Sequence, residues 1–256
     1  MDWNHNIVIK SAAELALMRE AGRVNALALE AVRKLIRPGA TTIDLDAAAE
    51  EVIRSNGGVP MFKGYPGPYP FPFTLCISLN EELVHGFPGK RKLKEGDIVS
   101  IDCGTLLEGF VGDAAYTVGV GDISAQARRL IEVTEKALDE GIAKMIPGNR
   151  SGDVSSAIQK YVEGQGYFVT REYTGHGVGR QMHEGPQVPN YGTQGRGVLL
   201  RPGMTIALEP MVLIGTQKTR VLPDQWTVIS ADGSLTAHFE HSVAITEGAP
   251  LILTLP

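Results

Sequence analysis

The feature that most constrains this chain is that it repeats itself. Pro38, Gly39, Asp44, Ala48 and Gly57 fall on Pro147, Gly148, Asp153, Ala157 and Gly166 at a constant offset of 109. Helix-start residues recur in unrelated helices, so this block alone is weak. A second block, LKEGDIVSID ending at Asp102, aligns with LRPGMTIALE ending at Glu209, in the same chain order and at an offset of 107. Together they indicate a duplicated unit. An acid ends each of these runs, and a second acid heads an apolar run further on in each half: Asp113 before AAYTVGV and Glu240 before HSVAITE. The expected arrangement is a single catalytic domain over 1–256, built of halves at about 11–121 and 122–250. A pseudo-twofold axis relates them, with four carboxylates meeting near it.

Periodicity fills in the elements. Ser11 and Glu14 have capping-box spacing, and apolar residues from Leu15 to Ile36 recur at helical period until Pro38. Further helices are predicted from about Asp44 to Ser55, Ser124 to Met145 and Asp153 to Glu163. Strand-like runs cover Thr74 to Leu79, Asp97 to Asp102, Phe110 to Val120, Thr205 to Ile214, Trp226 to Ile229 and Phe239 to Thr246. Helices then strands, twice, argue an α+β class rather than alternating βαβ units.

Several functions are disfavoured at once. A net charge of -5 offers no general attraction to nucleic acid or anionic lipid. No run approaches the ~18 apolar residues of a membrane helix. Two cysteines, Cys76 and Cys103, are too few for a disulfide framework and fit a reducing cytoplasm. No Gly-x-Ser-x-Gly elbow, Walker loop or Cys-x-x-Cys pair occurs.

The carboxylates carry the chemistry. A hairpin would bring Asp102 and Asp113 side by side, and Glu209 and Glu240 are expected to meet likewise. Any one of them alone reads best as a solvated hairpin residue. Four buried together would repel and protonate, whereas two divalent cations would cancel their charge. Of the six histidines, His176 in TGHGVGR is the candidate ligand, since its glycine neighbours let the backbone come close to a buried ion; a plain turn histidine is the alternative. Such a donor would move an oxygen-rich site toward Mn, Fe, Co or Zn. His238 shares a face with Glu240 by period-two spacing and is a supporting candidate, while His241 points away. His5 is expected to be inert, and His85 and His183 are uninformative by themselves. Cys103 should pack in the core, opposite in face to Asp102. The stiff segment YPGPYPFPF from Tyr65 either covers the core or walls an apolar pocket with Trp226 and Met182. Lys90, Arg91, Lys92 and Lys94 read as a solvated loop.

Assembled, NEELVHGFP, IDCGTLLEGFVGD, YTGHGVGRQMHEGP, ALEPMV and FEHSVAIT resemble the type I methionine aminopeptidases, from about Ser11 to the C-terminus. The resemblance implies the pita-bread fold of the M24 metallopeptidases, a curved antiparallel sheet covered by helices, with two divalent ions (Co, Mn, Fe or Zn) between the halves. It implies that Asp113 and Glu240 bridge the ions, that Asp102 holds one, and that His176 with Glu209 holds the other. It places His85 and His183 as catalytic and substrate-binding histidines that do not ligate, and Tyr65, Phe71, Cys76, Met182 and Trp226 around the methionine side chain. Two departures concern pocket shape: the PGPYPFP segment is longer than in the bacterial enzymes, and Met182 stands where an aromatic is usual.

The implied reaction is attack by a metal-bridged hydroxide on the carbonyl after the first residue, with Glu209 as general base and the histidines on the oxyanion or scissile amide. The implied partner is the N-terminal methionine of nascent polypeptides, met by a cytoplasmic monomer, with transient ribosome contact and no nucleic acid or membrane required. Two rivals share the fold: an Xaa-Pro peptidase, usually carrying an extra N-terminal domain, and a non-catalytic binding protein that has lost ligands.

Overall fold

The computed structural model describes residues 7 to 256, so His5 lies outside the described residues. Helix α1 (Ala12–Leu35) starts as its capping box requires: Ser11 Oγ accepts the Glu14 N–H and the Glu14 carboxylate accepts the Ser11 N–H. Helix α2 spans Thr42–Ser55, starting two residues ahead of the predicted position and capped by Thr41. In the second half α3 spans Ala125–Ile142 and α4 spans Ser151–Gly164. The limits of α2 and α4 differ by 109 at both ends, which is the offset of the sequence repeat.

Fifteen strands follow in chain order among the described residues. In the first half they are β1 (Val59–Pro60), β2 (Leu75–Leu79), β3 (Glu82–Val84), β4 (Ile98–Leu107) and β5 (Phe110–Gly119). In the second they are β6 (Phe168–Val169), β7 (Thr174–Gly177), β8 (Glu184–Pro189), β9 (Thr205–Leu208), β10 (Met211–Leu213), β11 (Thr219–Val221), β12 (Val228–Ser230), β13 (Thr236–His238), β14 (Glu240–Ala244) and β15 (Leu251–Ile252). A nine-stranded antiparallel sheet runs β1-β4-β5-β14-β9-β7-β8, with β2 on β4 and β15 on β14. Two three-stranded sheets, β13-β10-β6 and β11-β12-β3, adjoin it.

The offsets of the sequence repeat recur in the strand register. Val59 pairs with Leu106 on β1 and β4, and Phe168 pairs with Leu213 on β6 and β10, partners shifted by 109 and 107 respectively. The single predicted strand from Thr205 to Ile214 is divided at Glu209-Pro210. Proline has no N–H for the ladder, yet the register survives the break: Met211 faces His238 on one side of it and Leu208 faces His241 on the other. Glu209 and Glu240 therefore sit at facing positions, but β11 and β12 intervene between their strands, so they are not joined by the tight hairpin expected of them. In the first half the hairpin is tight, and β4 and β5 turn through Glu108 and Gly109, both at positive φ.

Side chains of β4 and β5 alternate between two destinations. Ile101, Cys103, Ala114 and Tyr116 join the main core with Leu29 and Val32 of α1 and Leu45 and Ala49 of α2. The helices thus cover one face of the sheet, and the opposite face is left for the acids.

Candidate metal centre and pocket

Strand register places all five expected ligands on that second face. Asp102 pairs with Ala115, which pairs in turn with Glu240, and Asp113 is two residues before Ala115. Ser242 pairs with Ala207, and Ala207 pairs with His176, so these share the face of Glu240. Glu209 lies two residues beyond Ala207. His176 is a strand residue of β7 rather than a turn histidine. Its glycine neighbours are needed for close backbone approach: a Cβ on Gly177 would lie 2.0 Å from the Gly185 carbonyl oxygen, and one on Gly175 would lie 2.8 Å from that of Ala207.

The centre is dry. Asp113 and Glu240 are 1% and 2% exposed, and His176 is buried. His176 Nε2 lies 3.5 Å from Glu209 Oε1 and 3.8 Å from Asp113 Oδ2. Its Nδ1 is 2.9 Å from the Gly177 carbonyl, which only accepts, so Nδ1 carries the hydrogen and Nε2 turns a lone pair to the acids. Burial pushes His176 down to about 3, with His183 adding to the effect, and the ring is neutral at physiological pH. Burial likewise pushes Asp102, Asp113, Glu209 and Glu240 well above the usual carboxylate range. The mutual repulsion of the carboxylates pushes Asp102, Asp113 and Glu240 further the same way.

Asp102 Oδ1, Asp113 Oδ1 and Glu240 Oε1 are buried without a hydrogen-bond partner. Unpaired buried carboxylates cost several kcal/mol each, and divalent cations are the counterions that this set fits. Asp113, His176 and Glu240 offer donor atoms within 4.8 Å of one another, and so do Glu209, His238 and Glu240. Asp102 belongs to neither group, but it borders the same cavity.

That cavity, about 160 Å³, brings the acids together with Tyr65, Phe71, Cys76, Met182 and Trp226, the five residues expected around the substrate side chain, and with His85 and His183. Phe71 and Trp226 meet edge to face at 5.2 Å, and Cys76 faces inward because it pairs with Asp102. Tyr65 Oη lies 2.5 Å from His183 Nδ1, and the His183 and His176 rings are 4.2 Å apart. His85 has φ 59, a conformation that costs a non-glycine residue of order 1 kcal/mol or more and is retained where function constrains it. Burial pushes His85 down to about 4 and lowers His183 as well, so both rings are neutral at pH 7. A second cavity, bordered by Glu172, Tyr173 and Gln187, shares His85, Asp102, His176, His183 and Glu209 with the first. The site is therefore an elongated cleft with the acids midway.

The model of metallopeptidase family M24 matches residues 16–247. A methionine aminopeptidase of Clostridium perfringens is 50% identical over 249 residues, which are 97% of this chain and 99% of the relative. The chain belongs to this family. The crystal structure of a methionine aminopeptidase from Thermotoga maritima superposes with a TM-score of 0.95 at 48% identity, over 98% of this chain and all of that one. A prolidase from Pyrococcus furiosus shares the pita-bread fold at 23% identity and a TM-score of 0.77, and this chain covers 66% of its length.

In this M24 chain the structure also places residues that sequence reasoning passed over. Phe62 borders the pocket, and a Cβ on Gly104 would meet its ring at 2.7 Å, which no motif signals. His238 comes nearer the acids than its supporting role anticipated, at 3.5 Å from Glu209. His241 points away, with Nδ1 2.8 Å from Thr254 Oγ1. Cys103 is in the core, and Lys90, Arg91, Lys92 and Lys94 are exposed.

Proposed function

We propose that the chain removes the N-terminal methionine of nascent polypeptides by metal-dependent hydrolysis. The observation that carries this reading is the convergence of four carboxylates, of which Asp113 and Glu240 are buried, and His176 on one sheet face beside an apolar pocket. Two divalent ions, of Co, Mn, Fe or Zn, would be held by Asp113 and Glu240 jointly, by Asp102 on one side and by His176 with Glu209 on the other. When bound, such ions supply positive charge that polarises a carbonyl and makes water acidic enough to ionise near neutral pH.

The protein's own groups do the rest. Glu209, held between facing strands and next to His176, takes the proton of the attacking water and returns it to the departing amine. With the Tyr65 hydroxyl donating to Nδ1, neutral His183 carries its hydrogen on Nε2 and directs it to the developing oxyanion. Neutral His85, fixed by its backbone conformation, hydrogen-bonds the scissile amide. Asp102 marks the end where a substrate's free amine is received, and internal peptides have no amine to offer. Phe71, Cys76, Met182 and Trp226 favour a flexible, unbranched thioether, each methylene being worth ~1–3 kcal/mol.

Among the described residues no helix is long and apolar enough to cross a membrane. We place the enzyme in the cytoplasm, where nascent chains present their N-terminal methionine. The deciding experiment incubates the protein with Met-Gly and Xaa-Pro peptides plus Mn or Co, with a chelator control. Release of free methionine, abolished by chelator, is expected. Preferential cleavage of Xaa-Pro would instead select the proline-specific rival, and metal uptake without any cleavage would select the binding protein.

A further inference from the structure

The roles above leave one buried histidine unused. His238 is 1% exposed, and neither Nδ1 nor Nε2 has a hydrogen-bond partner. Its backbone is fixed, because the N–H donates to Thr117 Oγ1 at 2.9 Å and the carbonyl accepts from the same hydroxyl at 2.8 Å. The ring is thereby held against the acids. Its Nε2 stands 3.5 Å from Glu209 Oε2 and 3.8 Å from Glu240 Oε2. His176 Nε2 makes the same pair of distances on the other side, 3.5 Å to Glu209 Oε1 and 3.8 Å to Asp113 Oδ2. Two imidazoles therefore flank Glu209, one at each carboxylate oxygen, and each also approaches one of the carboxylates assigned to both ions.

These separations discriminate between two uses of the ring. An N–H···O hydrogen bond spans about 2.7–3.2 Å, shorter than any of the four. Two donors bound to one ion at about 2.0–2.2 Å, and subtending about 110–120°, lie about 3.3–3.8 Å apart. The spacing is that of ligands sharing a cation, and Glu209, His238 and Glu240 offer three such donor atoms within 4.8 Å of one another.

We infer that His238 is a metal ligand through Nε2, to an ion shared with Glu209 and Glu240, so that the centre carries two imidazole donors. This rests on the two-ion reading above and deepens it. A second nitrogen moves the site's preference away from Mn and toward Fe, Co or Zn.

The test uses metal-free full-length protein reconstituted with Co(II) without oxygen, as wild type, His238→Gln and His238→Ala. Proton NMR of the cobalt protein counts the exchangeable imidazole N–H signals shifted by the paramagnetic ion. Two are expected in the wild type and one in His238→Gln, and calorimetry should show one Co(II) ion bound at least tenfold more weakly in that variant. A single shifted signal in a wild type that holds two ions, or unchanged affinity in both variants, would overturn the inference while leaving the two-ion reading standing. A wild type that takes up no ion would instead defeat the two-ion reading. Should His238→Ala fail to fold, the wild-type signal count and the bulk-preserving glutamine variant still decide the matter.

Discussion

Lys10 Nζ lies 2.5 Å from Glu184 Oε2, and the two side chains are 2% and 7% exposed. The other Glu184 oxygen accepts the backbone N–H groups of Arg180 and Gln181. The pair thus ties the segment before the first helix to the turn that carries Met182 and His183. Lys10→Met leaves a buried carboxylate without its counterion and should cost about 3–5 kcal/mol, read as a lower urea midpoint. Adding Glu184→Gln should recover part of that loss. Equal stability of Lys10→Met and wild type would show that the pair contributes nothing.

The contact between Tyr65 and His183 makes a kinetic prediction. His183→Ala should lose on the order of 10²–10³ in kcat, as for one oxyanion donor, while metal content is retained. Tyr65→Phe keeps the ring but removes the hydroxyl from Nδ1, and should lower kcat by about tenfold with little change in KM, since tautomer control rather than binding is removed. Steady-state kinetics on a Met-Gly peptide checks both, and unchanged turnover in His183→Ala would remove that residue from the mechanism.

Asp46 on α2 accepts the backbone N–H groups of Thr74 and Leu75 at the entry to β2, and burial pushes it up to about 6. A carboxyl raised in the folded state favours folding while protonated. As pH climbs from about 4 through 6, ionisation is easier in the unfolded chain and stability falls. Asp46→Asn lacks this term, so its stability relative to wild type should improve by up to about 3 kcal/mol between pH 4 and pH 7. Urea unfolding at the two pH values tests this, and a difference that is flat or of opposite sign would contradict it.

The pocket wall supplies a specificity prediction. Trp226 packs edge to face on Phe71 at 5.2 Å and on Tyr69 at 6.3 Å, and its indole N–H is buried without a hydrogen-bond partner. Trp226→Ala should raise KM for methionyl peptides and narrow their advantage over shorter aliphatic residues by about tenfold, the scale of one or two methylenes. Unaltered selectivity across Met, Leu and Ala peptides would place the side-chain site elsewhere.

Much of this was readable from the residues because duplication and alternation are periodic. The 109 offset returns in the limits of α2 and α4, and period two alone put Asp102 and Cys103 on opposite faces. Short edge strands such as β1 and β6 carry only two residues each, too few for a pattern. The division of the ladder at Glu209-Pro210 was signalled by the proline but not its outcome, since register carries across it. The closeness of His238 to Glu209 depends on how β13 joins β10, a pairing between residues 23 to 27 positions apart.

The central claim is that the acids of the two halves hold a pair of ions, and elemental analysis tests it most directly. Protein stripped of metal and reconstituted with Mn or Co in the absence of oxygen should hold close to two ions per chain, and Glu240→Ala should hold clearly fewer. Full occupancy in Glu240→Ala, or a wild type that binds no metal under the same conditions, would contradict the account.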